Sequence, residues 1–238
     1  MSAPDDTRAD VERRFFEAVR ESYRRTQKEG GPRSTKRIRV LHGWAQQEIA
    51  RRLGPDYALR GYSDDGGKEE KVSGWYYIKH VDVSVARDER VLGVVSIKFV
   101  NSNFRQNAHN YFENQMGETA NLRRNDIVFG SIFCVTHPIP YFRRNGNWKK
   151  SEEIQERDIE RYYLLERDHN HPHAPDVQAF CIFRLDWDNK NIDRICVRED
   201  LPHLNDAAHQ KLQSMNIGRF FAQFCDHIRL KYNSRREG

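Results

Sequence analysis

Two runs of alternating apolar residues, Tyr76–Ala86 and Val91–Val100, are joined by the short polar segment Arg87-Asp88-Glu89-Arg90. No other feature narrows the possible folds as much. Side chains two apart on a strand share a face. The first run therefore sets Val81, Val83 and Val85 against His80, Asp82 and Ser84, and the second sets Val95, Ile97 and Phe99 against Ser96 and Lys98. A hairpin closing at the polar turn gathers Asp82, Ser96 and Lys98 into a small polar patch on an otherwise apolar sheet. A carboxylate and an ammonium among valines are costly unless something satisfies them. An ordinary cross-strand ion pair would do so, and so would a divalent cation together with a phosphate.

The flanking segments predict how this hairpin is housed. Upstream, Phe15, Phe16, Val19 and Tyr23 recur at helical spacing from Ala9 until Gly30-Gly31-Pro32 interrupts them. A second helix starts near Ser34 or Thr35 as its cap, presents Val40, Leu41, Trp44, Ile49 and Leu53, and ends at Gly54-Pro55. Glu48 lies on or beside that stripe. A short strand in 56–62 and a polar, glycine-bearing loop over 63–74 lead into the hairpin. After Lys98 comes an amide-rich helix with Phe104, Ala108, Phe112 and Met116 four apart, and then the apolar run 126–135, which reads as a buried strand. The remainder holds a basic loop over 142–150, a charged helix over 151–168, a His-rich loop, a strand over 177–187 and a C-terminal helix from about Asn205 to Tyr232. We therefore expect an α/β fold with a central mixed β-sheet flanked by helices, its core in αβββαβ order. The division runs 1–33 for the first helix and basic linker, 34–136 for the core, and 137–238 for further elements packed on the same domain.

The composition permits several functions and excludes few. With 238 residues the chain can bury a core without staples. Its formal charge of +5 permits a nucleic-acid partner without requiring one. Cys134, Cys181, Cys196 and Cys225 lie far apart in apolar runs with no CxxC spacing, so they read as reduced core residues. No segment has the uninterrupted apolar length of a membrane span, and the acidic start lacks the apolar core of a signal peptide. A cytoplasmic protein is the expectation.

An acidic residue on one strand of a hairpin, a triplet ending in lysine on the next, one helix before and a helix and strand after are similar to the PD-(D/E)XK nuclease superfamily. Within it the chain most resembles type II restriction endonucleases, over Thr35–Val135. The resemblance implies a restriction-endonuclease-like core and Mg²⁺-dependent cleavage of double-stranded DNA. It casts Asp82 as a metal ligand, although Val81-Asp82 stands where Pro-Asp is usual, and Lys98 as the catalytic lysine. Ser96 departs from the family, which usually carries Asp or Glu two residues before the lysine. A branch with Ser-x-Lys relocates that acid to the following helix, where this chain offers Glu113 and Glu118. Glu113, nearer the lysine in sequence, is the preferred second metal ligand. Glu118 is the other possibility, and Glu48 would match an acid that many members carry on the first core helix. The family also implies a homodimer, because cutting both strands of a symmetric site takes two active sites. Other expectations are an anti-phage effector nuclease without a fixed site and an inactive DNA-binding module, the latter suggested by Ser96.

DNA contacts are expected from Arg105, Gln106 and Asn107 at the start of the amide-rich helix, since amides read base edges and arginine reaches phosphates. Arg143, Arg144, Lys149 and Lys150, interleaved with Tyr141 and Trp148, suit a loop that grips the DNA backbone. Capping and solvation are the ordinary alternatives for both groups. Arg33, Lys36, Arg37 and Arg39 form a basic stretch that reads first as solvated. His169, His171 and His173 alternate through a Pro-containing loop without the spacing of a zinc site.

Overall fold

A computed structural model describes residues 7–28, 36–62 and 67–234. Helix α1 (Arg8–Lys28) and helix α2 (Lys36–Leu53) match the periodic stripes, and α2 stops at Gly54 as expected. The cap at Ser34 or Thr35 lies outside the described residues, as does Arg33.

Among the described residues, six strands form the main sheet. Strand β1 (Ala58–Gly61) lies at one edge. The ribbon β2 (Glu70–Ser73) and β3 (Ile78–Val81) forms its own small antiparallel sheet before the chain enters β4 (Val83–Arg87) and β5 (Arg90–Val100). The 63–74 segment therefore carries a strand, which a short polar sequence with one buried position, Val72, did not announce. The connection between β4 and β5 is a two-residue turn in which Asp88 and Glu89 both have positive φ, 50° and 60°. That geometry matches the twist of a hairpin. Helix α3 (Phe104–Arg123) then crosses to β6 (Val128–His137), which pairs parallel with β5. A parallel neighbour requires such a crossover.

The expected αβββαβ order is thus present in α2, β1, β4, β5, α3 and β6. A second ribbon, β7 (Ile139–Phe142) and β8 (Trp148–Glu152), contains the basic segment, and α4 (Glu156–Arg167) follows. Strand β9 (Val177–Asp186) pairs parallel with β6, and β10 (Asn191–Ile195) closes the other edge antiparallel to β9. The sheet order is β1-β4-β5-β6-β9-β10. All residues of β6 are buried, which explains its unbroken apolar run. The C-terminal segment is two helices, α5 (Asp206–Ser214) and α6 (Ile217–Ser234). They separate at Asn216, whose side chain accepts from the Arg219 N–H at 2.8 Å and caps the second helix.

One face of the sheet packs against α1, α2 and α6 through Phe15, Leu41, Ile49, Ile97, Phe183, Phe220 and Phe224. The three sequence segments therefore share one core. The opposite face has two smaller clusters. One, around Phe104, Phe133, Tyr162 and Phe180, lies under α3 and α4; the other, Val72, Val81, Val94, Leu122 and Phe129, lies under the β2–β3 ribbon. The thiols of Cys134, Cys196 and Cys225 are pushed up by burial, the last two to about 12, as expected of inert core cysteines.

Candidate active site

Asp82 is where one sheet hands over to another. Tyr76–Ala86 is not one strand: β3 pairs with β2, β4 pairs with β1 and β5, and Asp82 is the bend between them. The bend reverses the alternation, so Val81 enters the cluster beneath the ribbon while Val83 and Val85 enter the main core. It also places the end of β1 against the Asp82 backbone. At Gly61, with φ 147°, an added Cβ would stand 2.2 Å from the Asp82 carbonyl oxygen, so only glycine fits.

Paired rungs between β4 and β5 end at Val83 and Val95. Beyond them the Asp82 side chain takes over, its Oδ2 accepting from the Ile97 N–H at 2.8 Å. Its Oδ1 lies 3.7 Å from Nε2 of His42 on α2. His42 is buried, and among the described residues neither ring nitrogen makes a hydrogen bond of normal geometry, although the Tyr62 backbone is near. Burial, with a smaller contribution from the Lys98 charge, holds its pKa below the ordinary value despite the opposing pull of Asp82 and Glu69.

From β5, Ser96 and Lys98 project on the face that meets α3. The Ser96 hydroxyl donates to Glu118 Oε2 at 3.3 Å, and Lys79 of β3 forms an ion pair with Glu118 Oε1. Burial disfavours the Lys79 charge, but the bond and charge of Glu118, helped by Asp82, raise its pKa. Lys98 is exposed and makes no hydrogen bond or ion pair among the described residues. Lys79, His80, Asp82, Ser96, Lys98 and Glu118 share a cavity of about 260 Å³ with an apolar base of Val81, Val94, Leu122 and Phe129.

Asp82, Ser96 and Lys98 thus come together as the hairpin predicted, but the acid that joins them is Glu118. Glu113 is exposed and lines no part of the cavity. Five residues on an α-helix span about 140° of rotation, so the two glutamates cannot face the same site. The side of α3 that faces inward runs through Gln115, Thr119 and Leu122, and Glu118 is three residues after the first and four before the last. Helical phase, rather than nearness in sequence, decides which glutamate lines the cavity.

Glu48 is elsewhere. Its side chain, 2% exposed, accepts from Arg14 at 3.1 Å, Arg51 at 2.7 Å and Arg52 at 2.7 Å, a closed cluster outside the cavity. Burial works against its charge, yet the bonds from Arg51 and Arg52 outweigh it and hold the pKa below the usual carboxylate range. Ser84, predicted on the face of Asp82, is buried and donates to Glu70. The sequence reading missed Lys79, whose orientation depends on the bend, and His42, a lone histidine with no motif around it.

The expected DNA-contacting residues fall into two groups. Arg105 is engaged internally, donating to the Glu153 carbonyl at 3.2 Å and lying 3.7 Å from Asp158. Gln106 accepts from the Tyr141 hydroxyl at 3.1 Å, and Asn107 donates to the Asn103 carbonyl at 3.4 Å. These side chains join the start of α3 to its surroundings and, through Asn103 and Gln106, to the β7–β8 ribbon. Arg143, Arg144, Lys149 and Lys150 are exposed on that ribbon, with both lysines beside the Tyr141 ring. The histidine loop is organised by Arg123, which donates to the carbonyls of His169, His171 and Ala174, while Asp168 takes up His173 at 2.8 Å.

Among the described residues, no helix is long and apolar enough to cross a membrane, and no three His, Cys, Asp or Glu side chains form a ready-made metal-ligand group. No protein-family model, no curated protein and no solved structure matches the chain.

Proposed function

We propose that this protein is a Mg²⁺-dependent, sequence-specific endonuclease of double-stranded DNA, acting as a homodimer in the manner of the type II restriction enzymes it resembles. The observation that carries the reading is the meeting of Asp82, Ser96, Lys98 and Glu118, from three separate elements, in one open cavity.

The donor set fits the cation. Mg²⁺ keeps much of its water and takes one or two carboxylates plus substrate phosphate oxygens. Asp82 and Glu118 would hold it, once Lys79 releases Glu118, and no third protein ligand is needed. When bound it would neutralise charge on the phosphate and acidify water. The chain's own residues supply the rest. Lys98, which has no hydrogen-bond or ion-pair partner among the described residues, orients the attacking water or stabilises developing negative charge. The Ile97 N–H fixes the Asp82 carboxylate, Ser96 positions Glu118, and the buried His42 lies 3.7 Å from the other Asp82 oxygen.

The test is incubation of the purified protein with a long DNA of known sequence, in Mg²⁺ and in EDTA, beside Lys98→Ala. Discrete fragments that require both Mg²⁺ and Lys98 are expected. Cleavage untouched by Lys98→Ala overturns the site, and a continuous smear assigns a nuclease without a fixed sequence. DNA that is bound in EDTA and never cut supports a second reading, a binding module without catalysis. The Lys79–Glu118 ion pair favours that reading, because a protein cation already neutralises the acid. Sedimentation with and without DNA tests the dimer.

A further inference from the structure

The turn that joins β2 to β3 exposes Trp75, Tyr76, Tyr77 and Ile78 to 59%, 62%, 49% and 63%. Their backbone is fixed. Asn121 of α3, itself fully buried, accepts from the Trp75 N–H through its carbonyl at 2.8 Å. Its side chain accepts from the Tyr76 and Tyr77 N–H groups at 2.8 and 3.2 Å and donates to the Tyr77 carbonyl at 3.0 Å. At Gly74 an added Cβ would stand 2.1 Å from the Asn121 amide nitrogen, so the clamp closes only around glycine. Arg124, one residue beyond the end of α3, lies 5.4 Å from the Trp75 ring centre and 5.5 Å from that of Tyr76, and donates to the Tyr76 hydroxyl at 2.9 Å. A buried asparagine is thus committed to presenting large apolar side chains to water.

The four side chains expose on the order of 500 Å², the size of a functional patch. That is below the roughly 800 Å² per partner of a standard protein interface. Two cations accompany the patch: Arg124 stands among the rings, and exposed Lys71 lies on the same ribbon, across from His80, which faces Glu69 at 3.6 Å. Flat rings interleaved with cations suit nucleobases and their phosphates. His80, about 13 Å along the strand from Tyr76, lines the cavity that holds Asp82 and Lys98.

We infer that the β2–β3 turn is a stacking platform for unpaired nucleobases of the DNA strand whose phosphate enters the cavity. The inference rests on the nuclease reading for its polymer but concerns binding alone. The substrate class becomes DNA with unstacked nucleotides beside the scissile phosphate, whether already unpaired or drawn out of a duplex.

The experiment is fluorescence anisotropy in EDTA, with a duplex containing a short unpaired bubble and a fully paired duplex of the same flanking sequence. Wild type is expected to prefer the bubble by roughly tenfold per base stacked. Trp75→Ala/Tyr76→Ala should lose that preference and keep its affinity for the paired duplex. Trp75→Leu, apolar but not aromatic, serves if the double variant is unstable. Equal affinity for the two DNAs overturns the platform and leaves the nuclease reading to the separate Mg²⁺ digest. Failure to bind either DNA overturns the platform, and if the digest also shows no cleavage the nuclease reading falls with it. Self-association in sedimentation that disappears in the double variant assigns the patch to a second copy and overturns the platform.

Discussion

His42 and Glu48 sit six residues apart on α2 and serve two charge clusters with opposite character. Around Glu48 the accounts close: one buried carboxylate accepts from Arg14, Arg51 and Arg52 and ties α1 to α2. Around His42 they stay open. Three carboxylates, Glu69, Asp82 and Glu118, and two lysines share a cavity; among the described residues Lys98 has no hydrogen-bond or ion-pair partner and the His42 ring nitrogens lack normal hydrogen bonds. A polar group that the fold has fully satisfied is a brace. Groups left partly satisfied in a cavity retain the capacity to hold something else.

The contrast breaks most visibly at Asp82. Asp82→Asn keeps the shape and removes the charge, so cleavage should fall by at least about a hundredfold, while circular dichroism and the melting temperature stay close to wild type. Wild-type cleavage by this variant would put the open cluster on the structural side.

The converse change is Glu48→Gln, which leaves three partly buried arginines short of an anion. It should cost about 2–3 kcal/mol of stability by urea unfolding, with cleavage per folded molecule unchanged. Because the folded-state pKa of Glu48 lies below its ordinary 4.5, its stabilisation is present above that value and lost as pH falls through the depressed folded pKa. Wild type should therefore lose stability more steeply than Glu48→Gln below about pH 4.5; parallel acid limbs would remove Glu48 from its role.

A finer test compares the two glutamates of α3. Glu118→Gln should lower cleavage by about tenfold or more, whereas Glu113→Gln should stay within about twofold, since its side chain points away from the cavity. The reverse pattern would mean that α3 rotates when DNA binds.

Local pattern in the sequence determined a good deal. The two-residue turn at Asp88-Glu89 and the apolar alternation set the β4–β5 hairpin, and so the nearness of Asp82 to Ser96 and Lys98. The stripes of α1 and α2, the unbroken run of β6 and the helix–strand order were equally readable, because each is a short-range periodicity that burial enforces. What the sequence could not convey were facts about distant neighbours. The bend at Asp82 depends on Gly61 of another strand and on a ribbon made partly from a polar segment, and it redirects Lys79. The phase of α3, which selects Glu118 over Glu113, follows from packing Gln115, Thr119 and Leu122 toward the sheet. His42 matters only because α2 lies across the end of β1, and β10 exists only as the edge partner of β9. Periodicity states which residues share a face. Only packing decides which face looks inward and which distant residue waits there.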